Sequence, residues 1–172
     1  MLLSMTASET NVARETGTAS GDPTLNRGAK DIQEGYGFIN VDAAIDAVTL
    51  PVLPDDITVS AGAATTFGSG SADRRVWARR ANLKAGAEVN LSISLPVGAD
   101  YDVYVYSGTP DAYGNPVILA SATTAATGGT EGVIFTPSVN ETGYLVIKRV
   151  SGSGAFSISG FFPVGISQFG IE

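Results

Sequence analysis

The 172 residues are 44% hydrophobic and 16% charged, enough apolar material for one medium domain and too much for a disordered chain. A net charge of −7 argues against non-specific nucleic-acid binding, which needs basic patches, and is compatible with cations such as calcium. With no histidine and no cysteine, the chain lacks the usual neutral-pH general base and any thiol nucleophile, so disulfides, thiolate metal sites and an internal Ser-His-Asp triad are all excluded.

In chain order, the opening MLLSMTASETN is too short and polar for a secretory leader, and no later stretch approaches the roughly 20 apolar residues of a membrane-spanning helix. Met1 to Ala7 reads as a helix remnant. Thr10 to Lys30, rich in Gly, Ser, Thr, Asn and Asp, reads as loop. Val41 to Val48 predicts a helix: Asn40 is a good N-cap, and Asp42 sits where the helix dipole favours negative charge. Its expected core face is Val41, Ala44, Ile45 and Val48, at i, i+3, i+4 and i+7. Residues 1–50 hold few large apolar side chains and are expected to need a partner surface. Residues 51–56 (PVLPDD) form a proline-punctuated linker.

Residues 57–172 alternate with period two, as half-buried strands do. In Glu88 to Leu95, Val89, Leu91, Ile93 and Leu95 share one face. In Tyr101 to Tyr106, Tyr101, Val103 and Val105 face one way and Asp102, Tyr104 and Tyr106 the other. Further strands are expected at 75–83, 117–122, 132–136, 144–150 and 155–162, with a first one within 57–67. Glycine, proline and asparagine turn signals separate them. The predicted fold class is mainly β: a jelly-roll-like antiparallel β-sandwich of about eight strands, preceded by a short loop and helix segment.

Two stretches carry a resemblance. Glu34-Gly35-Tyr36-Gly37-Phe38-Ile39-Asn40-Val41-Asp42-Ala43-Ala44 resembles the segment that closes the catalytic domain of subtilisin-like proteases, where a GYG-x-[VI]-N-[VA]-x-A-A run enters the last helix. Leu2 to Ala7 is similar to the end of the helix that follows the nucleophile there, with Asn26-Arg27-Gly28 and Lys30-Asp31 in the intervening loop. Residues 70–162 look like the bacterial and archaeal pre-peptidase C-terminal domain, above all in Asp100-Tyr101-Asp102-Val103-Tyr104-Val105-Tyr106. Subtilases of hyperthermophilic archaea often carry the two in this order. The family's aspartate, histidine and G-T-S-M-A-[TA]-P serine motifs are absent, so no catalytic residue carries over.

Among candidate sites, Asp100 and Asp102 lie two apart, hence on one face of a strand, where a cation would relieve their repulsion. Asp55 and Asp56, or Asp73, could add ligands, and the resemblance implies calcium in some members. The alternative is a solvated pair at a strand start. Arg74, Arg75, Arg79 and Arg80 cluster near Trp77 and read either as a solvated edge that discourages aggregation or as pairing with the acidic body or a partner protease domain. Tyr104, Tyr106 and Tyr113 read as an aromatic platform or as cross-strand packing. Phe161, Phe162, Ile166, Phe169 and Ile171 either close the sandwich or dock on another chain.

The resemblance implies a non-catalytic C-terminal module of a secreted, extracellular subtilisin-like serine protease, partnered by the catalytic domain in cis or as a separate chain. The alternatives are a cell-surface protein that self-associates by strand exchange and a carbohydrate- or protein-binding module.

Overall fold

The computed structural model describes residues 1–8, 28–30, 35–70, 72–124 and 128–163. The expectations for most of residues 10–30, and for Ile166, Phe169 and Ile171, fall outside these. Among the described residues are two helices, α1 (Leu2–Met5) and α2 (Val41–Thr49), and ten strands. The strands are β1 (Asp56–Val59), β2 (Thr66–Phe67), β3 (Val76–Leu83), β4 (Val89–Ser94), β5 (Asp100–Ser107), β6 (Ile118–Ala122), β7 (Thr130–Phe135), β8 (Glu141–Ser151), β9 (Gly154–Ala155) and β10 (Ser157–Phe161).

Two four-stranded antiparallel sheets, ordered β1-β10-β4-β7 and β3-β8-β5-β6, face each other, and the short β2-β9 pair stands beside them. The fold class is the expected β-sandwich. Two expected strands are each split. Residues 57–67 are broken by a single 3₁₀ turn at Ala63–Thr65, and residues 155–162 are interrupted at Phe156, whose N–H donates to the Thr65 carbonyl at 3.2 Å.

The alternation places β4's Val89, Leu91 and Ile93 and β5's Tyr101, Val103 and Val105 in the interior between the sheets, with Trp77, Leu145, Ile147, Phe67 and Phe156. Phe67 and Phe156 pack with ring centroids 5.1 Å apart, and Phe156 meets Trp77 edge-on at 6.0 Å.

β5 departs from the half-exposed expectation, because all eight of its residues are buried. Its second face, with that of β8 and β3, forms another apolar cluster: Val76, Ala78, Tyr104, Tyr106 and Val146 packed under Met5, Ala43 and Ala47. The described parts of residues 1–50, α1, α2 and Gly28 among them, therefore lie as a cover on the outer face of the β3-β8-β5-β6 sheet. Gly28 lies so close to Tyr104 and Ile118 that a Cβ there would meet their side chains at 2.5 and 2.7 Å. The Tyr106 hydroxyl donates to the Gly28 carbonyl at 2.8 Å.

Candidate docking surface

The cover is pinned at the start of α2. Asn40 makes no side-chain cap to its own helix. Its Nδ2 donates instead to the Thr6 carbonyl, Ser8 Oγ and the Phe38 carbonyl, each at 3.0 Å, so one amide ties the end of α1 to the start of α2. Ser8 and Phe38 add a bridge, with N–H to O=C distances of 2.9 and 2.6 Å. Gly35 (φ 71°) and Gly37 (φ 86°) sit in the left-handed region that side chains resist, which is why the GYG run is needed there. Between them, Tyr36 donates from its hydroxyl to Asn115 Oδ1 at 2.7 Å. Burial pushes that hydroxyl's pKa up, and the charge of Asp111 adds to the effect.

The face of α2 predicted to be buried is mostly bare. Val41 is 55% exposed, Ile45 52% and Val48 40%; the buried residues are Ala43, Ala44 and Ala47. The reason is volume. The sheet already projects Tyr104, Tyr106, Val76 and Val146 outward, and close packing against that surface leaves room only for methyl groups. Leu3, Phe38, Ile39 and Val52 are also exposed, and Phe38 and Ile39, which share a cleft with Val41, extend the apolar surface beyond the helix. A cleft of about 330 Å³ lies between Phe38 to Asp42 and Ala72 to Arg74, and one of about 220 Å³ is lined by Leu3, Ala7, Tyr36 and Ile39.

The acidic residues of α2 are engaged within the chain. Arg74 Nε is 3.1 Å from Asp42 Oδ2, Arg74 Nη1 is 3.0 Å from Asp46 Oδ2, and Arg79 Nη1 is 3.6 Å from the same oxygen. The Arg79 guanidinium also stands 4.8 Å over the Trp77 ring. Burial lowers its pKa and Asp46 opposes that. Arg80 donates to the Leu50 carbonyl at 3.3 Å. Arg74 and Arg79 follow the pairing reading, with acidic residues of this same chain, and form a clamp between the β3 edge and α2.

Asp100 and Asp102 share the covered face of β5, as the alternation implies. Both are buried, and Asp102 accepts from the Tyr104 hydroxyl at 2.9 Å. Lys148 is opposite Asp102 in the β5–β8 register and buried, with Nζ 5.5 Å from the Tyr104 ring and 6.0 Å from that of Tyr106. The pair is thus not solvated and has a cation beside it. Asp55 and Asp56 lie elsewhere, at the start of β1 in the other sheet, where the Asp55 carbonyl accepts from Phe162 N–H at 2.7 Å. Asp73 accepts from Gly70 N–H at 2.7 Å. Among the described residues no group of three or more acidic side chains is placed to hold a metal ion, so these aspartates do not form one cage.

The aromatic platform is corrected. Tyr104 and Tyr106 are buried and stacked, with centroids 5.8 Å apart, whereas Tyr113 is 91% exposed on a separate loop. That loop is fixed by Asp111, whose carboxylate accepts from the N–H groups of Tyr113 and Asn115 and from Asn115 Nδ2, holding its pKa below the usual carboxylate value. Phe162 is fully buried and Phe161 is 43% exposed.

No family model and no curated protein matches the sequence. Among solved structures, the pre-peptidase C-terminal domain of a collagenase from Bacillus anthracis is similar over 64% of this chain and 90% of that chain, at 14% identity and a TM-score of 0.46. CorA of Methylomicrobium album BG8, a surface-associated copper-binding protein important in copper acquisition, is similar over 65% of this chain and 96% of that chain, at 9% identity and a TM-score of 0.45.

Proposed function

We propose that this chain is a non-catalytic accessory module of a secreted serine protease, and that its cover is the closing segment of a subtilisin-like catalytic domain. One observation carries the reading: α2 has two apolar faces and the sandwich uses only the alanine one. A bare stripe of Val41, Ile45 and Val48, continued by Phe38 and Ile39, is what a helix presents when a second body is missing from its other side. The acidic groups beside the stripe are already paired to Arg74 and Arg79, so the surface suits an uncharged apolar partner. The chain supplies no imidazole and no thiol, and its role is mechanical. α2, clamped to the sandwich on one side and seated in the protease on the other, stiffens the catalytic domain, outside the cell. The candidate calcium ligands are divided between two sheets, Asp100 and Asp102 in one and Asp56 in the other, and this reading does not call on the ion. The carbohydrate-binding alternative loses its platform with the burial of Tyr104 and Tyr106.

The test is to titrate this chain into a subtilisin-like catalytic body truncated before its last helix and to follow thermal inactivation of its peptidase activity. The expected result is a longer half-life that Ile45→Asp/Val48→Asp abolishes. An unchanged half-life at saturating chain, or equal protection by the double variant, rejects the proposal.

A further inference from the structure

The triplet Asn-x-Ser/Thr, whose asparagine accepts an N-linked sugar on exported chains, occurs twice, at Asn90-Leu91-Ser92 and Asn140-Glu141-Thr142. A triplet alone decides nothing; its place in the fold does. In an extended strand the first and third side chains stand about 7 Å apart, so the third-position hydroxyl reaches the amide only where the chain bends. Both asparagines are exposed. Asn90 lies within β4, held by β10 on one side and β7 on the other, and Ser92 is half-buried. Asn140 ends the β7–β8 turn, one residue before β8, and Thr142 is exposed. In the backbone ladder Glu141 and Thr142 pair with β3 alone, since the β5 register begins at Gly143. The second triplet is therefore the one with room to bend.

The Asn140 carboxamide is already oriented. Its Oδ1 accepts from the Ala85 N–H at 2.8 Å, and among the described residues nothing accepts from its Nδ2. The oxygen fixes the plane of the amide and the nitrogen is left to solvent. Attachment of a sugar consumes only the nitrogen. A bond forms between Nδ2 and the anomeric carbon of a polyprenyl-diphosphate-linked oligosaccharide. The bond from that carbon to the phosphate oxygen breaks, the polyprenyl diphosphate leaves with the electron pair, and one Nδ2 proton is lost. Oδ1 keeps its lone pairs, so the bond to Ala85 survives. That contact also sets what the sugar covers. The Ala85 nitrogen is the nitrogen of the Lys84–Ala85 peptide bond. Lys84, Ala85 and Gly86 are the exposed tip of the β3–β4 turn, tied to the β7–β8 turn again by the Gly86 N–H, which donates to the Pro137 carbonyl at 2.9 Å. Exposed loop tips of this kind are where proteases cut.

We propose that Asn140 accepts an N-linked oligosaccharide, and that the sugar screens the Lys84–Ala85 bond from proteases around the chain. The inference rests on the extracellular placement proposed above and on no part of the docking surface.

The test recovers the full chain from its own host, from the culture fluid and the cell surface, beside a Thr142→Ala variant. That variant keeps the Asn140 carboxamide and its bond to Ala85 but lacks the acceptor hydroxyl. Mass spectrometry of the peptides is expected to show a glycan on Asn140 of the parent and none on the variant. Limited trypsin digestion is expected to cut after Lys84 several-fold faster in the variant. An exported chain with a bare Asn140, or with sugar on Asn90 alone, overturns the proposal and leaves the extracellular placement standing. A chain found only inside the cell overturns both. Equal cutting after Lys84 in parent and variant overturns the screening. Both chains made without export, and so without sugar, are expected to be cut alike; a difference there assigns the effect to the substitution and overturns the screening as well.

Discussion

The orientation of α2 is open to a direct contest between two neighbouring side chains. Ala43 is fully buried against the sheet and Val41 is 55% exposed, and both lie in the first turn of the helix. A carboxylate at either position gains similarly from the helix dipole, so Ala43→Asp and Val41→Asp differ chiefly in burial. An uncompensated buried charge costs about 3–5 kcal/mol. For a chain of this size each kcal/mol lowers Tm by about 2–4 °C, which puts Ala43→Asp about 6–20 °C below the parent. Val41→Asp, a surface change, stays within about 0.5 kcal/mol, or about 2 °C. Thermal melting by circular dichroism reads both. If α2 lifts off the sheet instead of burying the charge, hydrogen exchange along Val76 to Leu83 accelerates in Ala43→Asp alone. A larger loss for Val41→Asp would refute the argument and restore the Val41, Ile45 and Val48 face as the packed one.

Gly28→Ala forces a methyl group onto Tyr104 and Ile118 and is expected to cost about 1–3 kcal/mol, seen as a fall in Tm; a neutral result would mean that residues 28–30 do not lie on the sheet. Alkaline titration followed by phenolate absorbance should expose Tyr101, whose pKa burial raises from 10.0 to about 12 despite the opposing charge of Arg149. The neutral phenol is the form the fold favours, so this contribution is whole below pH 10 and is lost as pH climbs toward about 12; flat stability across that window would contradict it. Melting with calcium and with chelator should give the same Tm, and a calcium-dependent rise would show that the aspartates are completed by groups beyond those described.

Much of the sandwich was legible because period two is a steric fact of the strand. Val89, Leu91 and Ile93 had to point together, and so did Tyr101, Val103 and Val105. What the period cannot say is whether the opposite face meets water. Asp102, Tyr104 and Tyr106 look like an exterior in sequence, yet all three are buried, the tyrosines under Met5, Ala43 and Ala47, because a contact across some sixty residues or more leaves no local mark. The same blindness misassigned α2. Ranking faces by hydrophobicity chose Val41, Ile45 and Val48, whereas the sheet chose the face of smallest volume. Asn40 was readable as a helix start, but its two cross-links, to Thr6 and Ser8, depend on a chain return that residue type alone does not encode.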